Sequence, residues 1–342
     1  MYRSNVAREY IRIMHAFHRI TYMEQRKQYA ERINNACLFP NNYYNVTGDG
    51  MAQNHTKLPF LGQHDQAAKK RLDYKLQGML AHGREFVAYI VNYCVAPGAN
   101  LAVHCFLCML EREYYKDGKL CLPEVIYYQV DGGPENANNL LLAVCELLVA
   151  KRLCRKVVLT RLPPGHSHCD IDGLFGVIWK GSWSQILKSA SQWCSHLYSV
   201  LKKLGIKVEV IDIFVLPDYD AYLGPYIGRV QRAFKECWTQ LQWTFEAYDF
   251  CPECTGPTKC LECNRRPTGV NVYYSAYSVN DREKKNLVYE IRRNPNKTCG
   301  AEIIEVEVGV YPKEGLYILK SIPGILLLCT AIISYRPLNR IR

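Results

Sequence analysis

Residues Glu124–Trp179 read EVIYYQVDGGPENANNLLLAVCELLVAKRLCRKVVLTRLPPGHSHCDIDGLFGVIW, and this stretch decides the fold. Val125 to Val130 is rich in β-branched and aromatic residues, the composition of a strand. It stops at Asp131-Gly132-Gly133-Pro134. Leu141, Val144 and Leu148 then recur at helical spacing. A second apolar run, Val157 to Leu162, meets Pro163-Pro164-Gly165. The polar cluster His166-Ser167-His168-Cys169-Asp170-Ile171-Asp172 follows. Ile171, Leu174, Phe175 and Ile178 open another helical pattern. Strand, helix, strand, helix implies a parallel pair joined by a crossover. Sheets of this kind place ligands at the carboxyl ends of their strands, where both acidic clusters fall.

Upstream, Tyr2 to about Cys37 reads as a helix, broken at Pro40-Asn41-Asn42. Tyr43 to Thr47 is a short β-prone run ending in Gly48-Asp49-Gly50. Tyr74–Ala81 and Phe86–Val95 flank His82-Gly83-Arg84, a hairpin with glycine in its turn. Asn100 to Tyr115 is helical, with Asn100 in position to cap it. Downstream, Ser184 to Leu204 is an amphipathic helix, Lys207 to Leu216 a strand and Tyr226 to Glu246 a helix. Val270–Tyr277, Leu287–Ile291, Glu302–Val310, Leu316–Leu319 and Ile325–Ile333 are short strand candidates.

The order through residue 179 is three strands, helix, strand, helix, strand, helix. That is the element order of an α/β RNase H-like fold, a mixed five-stranded sheet with helices on both faces. In that fold the first and fourth strands are neighbours, so analogy sets Asp49 beside Asp131. The expected organisation is a helical region at 1–42, a core at 43–205, and a smaller α+β or β-rich accessory region at 206–342. A Cys-rich insertion interrupts the last at 251–263.

The chain has 342 residues, 49% hydrophobic and 22% charged, which describes a globular protein. Its formal net charge of +11 favours an acidic partner such as nucleic acid. Met1-Tyr2-Arg3-Ser4 opens no apolar signal segment, and Cys105, Cys108 and Cys145 sit inside apolar helical runs. The sixteen cysteines therefore point to a reducing compartment, not a disulfide framework. The longest apolar run, Ile325 to Ile333, is far short of the ~20 residues a bilayer needs. No membrane partner is expected.

Asp49, Asp131 and either Asp170 or Asp172 are the candidate catalytic carboxylates. Hard cations such as Mg²⁺ or Mn²⁺ take carboxylate oxygens. Two such ions can activate a water and stabilise the leaving oxygen of a phosphodiester. Asp-Gly is also an ordinary turn pair, so neither Asp49-Gly50 nor Asp131-Gly132 marks a site alone. Their spacing on a matching element order does. Asp172 is read as the third ligand and Asp170 as the helix cap. His166 and His168 would orient water or touch phosphate; their structural alternative is packing beneath the loop. His-x-His-x-Asp also occurs in metallo-β-lactamase-type hydrolases, but those need a histidine directly after the aspartate, where this chain has Ile171. Cys251, Cys254, Cys260 and Cys263 form two C-x-x-C pairs able to hold a structural Zn²⁺. Their separation is shorter than usual, and reduced loop cysteines are the plainer reading.

These residues resemble a transposon-associated, RNase H-like domain family of eukaryotic genomes, largely uncharacterised. The resemblance rests on Asp49-Gly50-Met51-Ala52-Gln53 with Leu58-Pro59, on Gln129-Val130-Asp131 with Glu135-Asn136-Ala137-Asn138, and on Gly165-His166-Ser167-His168-Cys169-Asp170-Ile171-Asp172-Gly173-Leu174-Phe175. An upstream helix with Glu24-Gln25-Arg26 and Tyr29 fits as well. It implies a nuclear DDE/D-type transposase- or integrase-like nuclease with two Mg²⁺ or Mn²⁺ ions, acting on DNA. It also admits a homo-oligomer. The rival expectation is a domesticated transposon-derived protein that binds nucleic acid or a partner without catalysis.

Overall fold

A computed structural model describes residues 2–62, 71–96, 98–131, 133, 136, 138–150, 153–162, 169–223, 241–247, 270–275 and 289–291. The chain begins with helix α1 (Tyr2–Leu38) and strand β1 (Tyr43–Gly50), with a short 3₁₀ turn at Gln53–His55. The hairpin β2 (Lys75–Ala81) and β3 (Glu85–Val91) precedes α2 (Ala99–Tyr114). A small ribbon, β4 (Tyr115–Lys116) with β5 (Lys119–Leu120), leads into β6 (Val125–Val130), α3 (Asn139–Ala150), β7 (Lys156–Arg161) and α4 (Asp170–Ser182). Then come α5 (Ala190–Lys202), β8 (Val208–Ile213), β9 (Gln242–Ala247), β10 (Val270–Ser275) and β11 (Tyr289–Ile291).

The main sheet is mixed, in the order β11-β10-β9-β7-β6-β1-β2-β3-β8. The expected RNase H-like series lies unbroken at its centre as β3-β2-β1-β6-β7. β1 pairs antiparallel with β2 and parallel with β6, and β6 pairs parallel with β7. The sheet has nine strands where five were expected. β8 adds parallel to β3 and β9 antiparallel to β7, so segments expected in the accessory region extend the core sheet at both edges. One expected helix is absent: residues 242–247 of the Tyr226–Glu246 segment are β9. The expected strands at Glu302–Val310, Leu316–Leu319 and Ile325–Ile333 lie outside the described residues.

Side chains alternate between the faces of a strand, and the two faces here differ. On one, α2 and α3 bury Phe106, Leu110, Leu141 and Val144 against Tyr44, Val46, Met79, Tyr128 and Val130. Phe106 stacks on Tyr128 with ring centres 4.2 Å apart. On the other, α4 and α5 pack Ile171, Leu174, Phe175, Ile178, Trp193 and Leu197 on Leu76, Leu80, Phe86, Ala88 and Ile90. That second core stops at β2. From β1 to β9 the same face carries a row of buried polar side chains in lateral register: Thr47 opposite Gln129, Gln129 opposite Thr160, Thr160 opposite Gln242. The C-terminal half of α1 meets this region with buried Gln25, Gln28, Tyr29 and Arg32. Arg32 donates to Gln242 Oε1 at 2.7 Å, and Thr160 Oγ1 to Gln129 Oε1 at 2.7 Å. Buried polar groups persist only when paired, and this layer is paired across elements.

Two glycines are dictated by geometry. Gly83 turns the β2–β3 hairpin at φ +74°, where a side chain is strained. Gly48 lies under the aromatic layer: a β-carbon there would sit 2.8 Å from Met79 Sδ and 2.9 Å from the Tyr128 hydroxyl oxygen. Gly48→Ala is therefore expected to destabilise the chain by about 1–3 kcal/mol. Urea unfolding checks this, and wild-type stability in the variant would mean that Met79 and Tyr128 yield without cost.

Candidate functional site at the strand ends

Gly48 of β1 stands in register with Val130 of β6. The next residues, Asp49 and Asp131, therefore leave neighbouring parallel strands side by side at their carboxyl ends. Two residues earlier on each strand, and so on the same face, are Thr47 and Gln129 of the polar row. Both aspartates are half-buried.

The Gln-x-Asp…Asn-x-Asn motif has a local task for nearly every polar residue. Gln129 ties β6 to Thr160 of β7. Asp131 Oδ1 accepts from Gly133 N at 3.2 Å and from Asn136 Nδ2 at 2.5 Å. Asn136 is buried and its own N–H closes a turn onto Gly133 O at 3.0 Å. Asn138 Oδ1 accepts from Leu141 N at 2.8 Å, which caps α3. Both bonds to Asp131 fall on one oxygen, which fixes the carboxylate while using only that side of it. Asp49 Oδ1 accepts from Gly50 N at 2.8 Å.

At α4 the two aspartates take roles different from those expected. The N-cap is Cys169, and Asp172 returns to accept from Cys169 N at 2.8 Å through Oδ2, completing a capping box. Asp170 is not the cap. Its exposed carboxylate instead reaches His82, Oδ2 to Nε2 at 3.2 Å. Capping needs the residue three positions into the helix to fold back, and that residue is Asp172. The cap assigned to Asn100 is likewise misplaced. α2 is capped at Gly98, and Asn100 instead donates to Asp218 Oδ1 at 3.1 Å and accepts from Asp220 N at 2.9 Å.

Electrostatic reach links the acids. Burial pushes the Cys169 thiol up to about 12, with Asp172 and Asp49 adding to the rise. Burial also raises the Tyr128 hydroxyl far above its ordinary value, and Asp131 and Asp49 both contribute. Asp49 thus acts on the neighbours of the other two. Among the described residues, no three His, Cys, Asp or Glu side chains are gathered as a metal-holding group. What fits a hard cation is the donor type: Asp49 and Asp131 bring carboxylate oxygens from adjacent strand ends, with Asp172 at the start of α4. His166 and His168 lie outside the described residues, as do Cys251, Cys254, Cys260 and Cys263.

Two residues escaped the sequence reading. His82 was read only as part of a turn. It is buried, and its Nδ1 lies 3.0 Å from Asn45 Oδ1. Its Nε2 lies 3.3 Å from the Tyr29 hydroxyl as well as near Asp170. One side chain thereby joins α1, β1, the hairpin and α4. Its partners are dozens of residues away, and nothing local marks it. The second is Arg161, the last residue of β7, which stands opposite Val130 with its guanidinium 4.8 Å from the centre of the Trp243 ring. A basic residue closing an apolar strand beside an Asp-ended strand was the available signal.

The Asp170–His82 bond has a pH signature. That hydrogen bond, ahead of an opposing burial effect, holds the Asp170 carboxyl below its ordinary 3.8. A depressed folded-state value means stability that is present above the ordinary pKa and lost as pH falls through the depressed one. Urea titrations of wild type should therefore lose stability more steeply below about pH 4 than those of Asp170→Asn. Identical acid limbs would show that the contact carries no linkage.

No curated protein matches the chain. Residues 64–246 match a family described as Domain of unknown function (DUF7869). The match takes in Asp131, Asp170 and Asp172 and begins downstream of Asp49. With just over half of its 342 residues matched, and with the Gln-x-Asp and His-x-His-x-Asp-x-Asp motifs both inside that span, the chain belongs to the DUF7869 family.

Proposed function

We propose that this chain is a transposon-derived, transposase- or integrase-like nuclease that acts on DNA phosphodiesters in the nucleus, by hydrolysis or strand transfer. One observation carries the reading: Gly48 and Val130 are paired in register on adjacent parallel strands, each directly followed by an aspartate. The central β3-β2-β1-β6-β7 order with α4 after β7 supports it, since a third acid on that helix, Asp172, completes a DDD set. The net charge of +11 suits a polyanionic substrate.

In this reading Asp49 and Asp131 would hold Mg²⁺ or Mn²⁺, with Asp172 as the third carboxylate. Such ions, when bound, supply an activated water and charge stabilisation at the leaving oxygen. The protein's own contribution is preorganisation. Asn136 and Gly133 hold the Asp131 carboxylate in one orientation, and the β1–β6 register fixes Asp49 beside it. Cys169 holds Asp172 through the capping box.

The test is cleavage and strand transfer of labelled DNA with Mg²⁺ or Mn²⁺. Wild type should act, and Asp131→Asn should lose about a thousandfold or more in rate, since each factor of ten corresponds to about 1.4 kcal/mol of barrier. Asparagine keeps the size and the Oδ1 acceptor for Asn136 and Gly133, so the fold should survive. Full activity in a folded Asp131→Asn would refute the site. Metal binding without turnover on any DNA would favour the domesticated, non-catalytic protein. In the same reading Cys251, Cys254, Cys260 and Cys263 hold a structural zinc. Elemental analysis should find about one zinc ion per chain, and a zinc-free folded protein would leave four reduced thiols.

A further inference from the structure

We propose that Arg161 is a phosphate-binding residue of this site, gripping the nucleic-acid backbone beside the Asp49–Asp131 pair. The inference rests on the nuclease reading and deepens it, because it names the group that would meet substrate phosphate.

Position comes first. β1, β6 and β7 are parallel neighbours, and their last residues or the next ones are Asp49, Asp131 and Arg161. Arg161 stands opposite Val130, one residue before Asp131. The carboxyl ends of three adjacent strands thus present acid, acid, base. A cation beside paired carboxylates is what a phosphodiester needs: the acids supply metal ligands, and the guanidinium matches a non-bridging phosphate oxygen pair with a bidentate fork.

Orientation comes second. Arg161 is 8% exposed, unusually enclosed for a residue at a strand end. Its guanidinium sits over the indole of Trp243, 4.8 Å from the ring centre. Trp243 is itself buried and pairs with Leu159 in the β7–β9 ladder, so the platform is rigid. A stacked guanidinium keeps its edge available for in-plane hydrogen bonds while losing rotamer freedom before any ligand arrives. The local field agrees: burial lowers the Arg161 pKa, and Asp131 opposes that effect. The two side chains therefore feel each other.

Packing alone predicts a different outcome from phosphate binding. A structural arginine changes stability when replaced, but leaves the salt dependence of DNA binding untouched. A phosphate contact adds to the slope of log affinity against log salt. The experiment measures binding of a fluorescein-labelled 20-base-pair DNA duplex in Ca²⁺, which permits binding without turnover, over a salt series. Wild type, Arg161→Gln and Arg161→Lys are compared, each checked for folding by circular dichroism. Arg161→Gln should bind on the order of tenfold more weakly, with a salt slope smaller by about 1. Arg161→Lys keeps the charge and loses the fork, so its slope should match wild type while affinity falls several-fold. If Arg161→Gln fails to fold, the lysine variant decides alone: wild-type affinity there overturns the proposal. Wild-type affinity and slope in both variants also overturn it. A wild-type protein that binds no DNA removes the nuclease reading and the role of Arg161 together, a result distinct from DNA binding that ignores Arg161.

Discussion

The parallel register of β1 on β6 is the constraint on which the rest of this structure depends. Tyr43 pairs with Val125 and Gly48 with Val130, so both strands run out at the same level. A slip of one residue would turn Thr47 and Gln129 into the apolar core and Tyr44 and Tyr128 out of it. The register is held on both faces. On the apolar side, Tyr128 fills the space above Gly48. On the polar side, Thr47, Gln129, Thr160 and Gln242 line up across four strands. Side chains at the strand ends inherit this alignment, which is why two aspartates 82 residues apart leave the sheet together.

Much of this was legible in the sequence because it is written in local periodicity. The strand–helix alternation around Val125–Val130 and Val157–Leu162 survives intact, as does the hairpin around Gly83. What was misread has a physical reason in each case. Gln242-Trp243-Thr244-Phe245 alternates polar and apolar, the period of a strand. Its aromatics at 238, 243 and 245 were spaced loosely enough to pass for a helical face. The segment becomes β9 because Trp243 and Phe245 cover Leu159 and Val157 at the edge of β7. No local pattern announces an edge that needs covering.

The exchange of roles at the start of α4 is a similar lesson at finer scale. Two acids in the first turn of a helix offer the same composition to a reader of sequence. Position separates them: Asp172, three residues past Cys169, can fold back to its N–H, whereas Asp170 points toward a neighbour. That neighbour, His82, comes from a turn 88 residues earlier and cannot be inferred from spacing. The carboxylates of the candidate site were therefore readable from motif and element order. The groups that hold them still, Asn136 aside, were not, because they arrive through tertiary packing.

The polar layer also sets the size of the functional unit. The family match starts at residue 64, beyond α1 and β1. Yet Asn45 and His82 pair with each other and, through Tyr29, with α1, while Arg32 of α1 satisfies Gln242 on the far side of β7. Without the C-terminal half of α1, several of these polar groups would lose partners in a region where water replaces them imperfectly, and a buried polar group left unpaired costs roughly 1–3 kcal/mol. β1 is more tightly bound still, since it fills the centre of the sheet between β2 and β6 and carries Asp49. A domain drawn at residue 64 would therefore lack its central strand, the cover over its polar face and its first carboxylate. The unit that folds and the unit that could act both begin in α1.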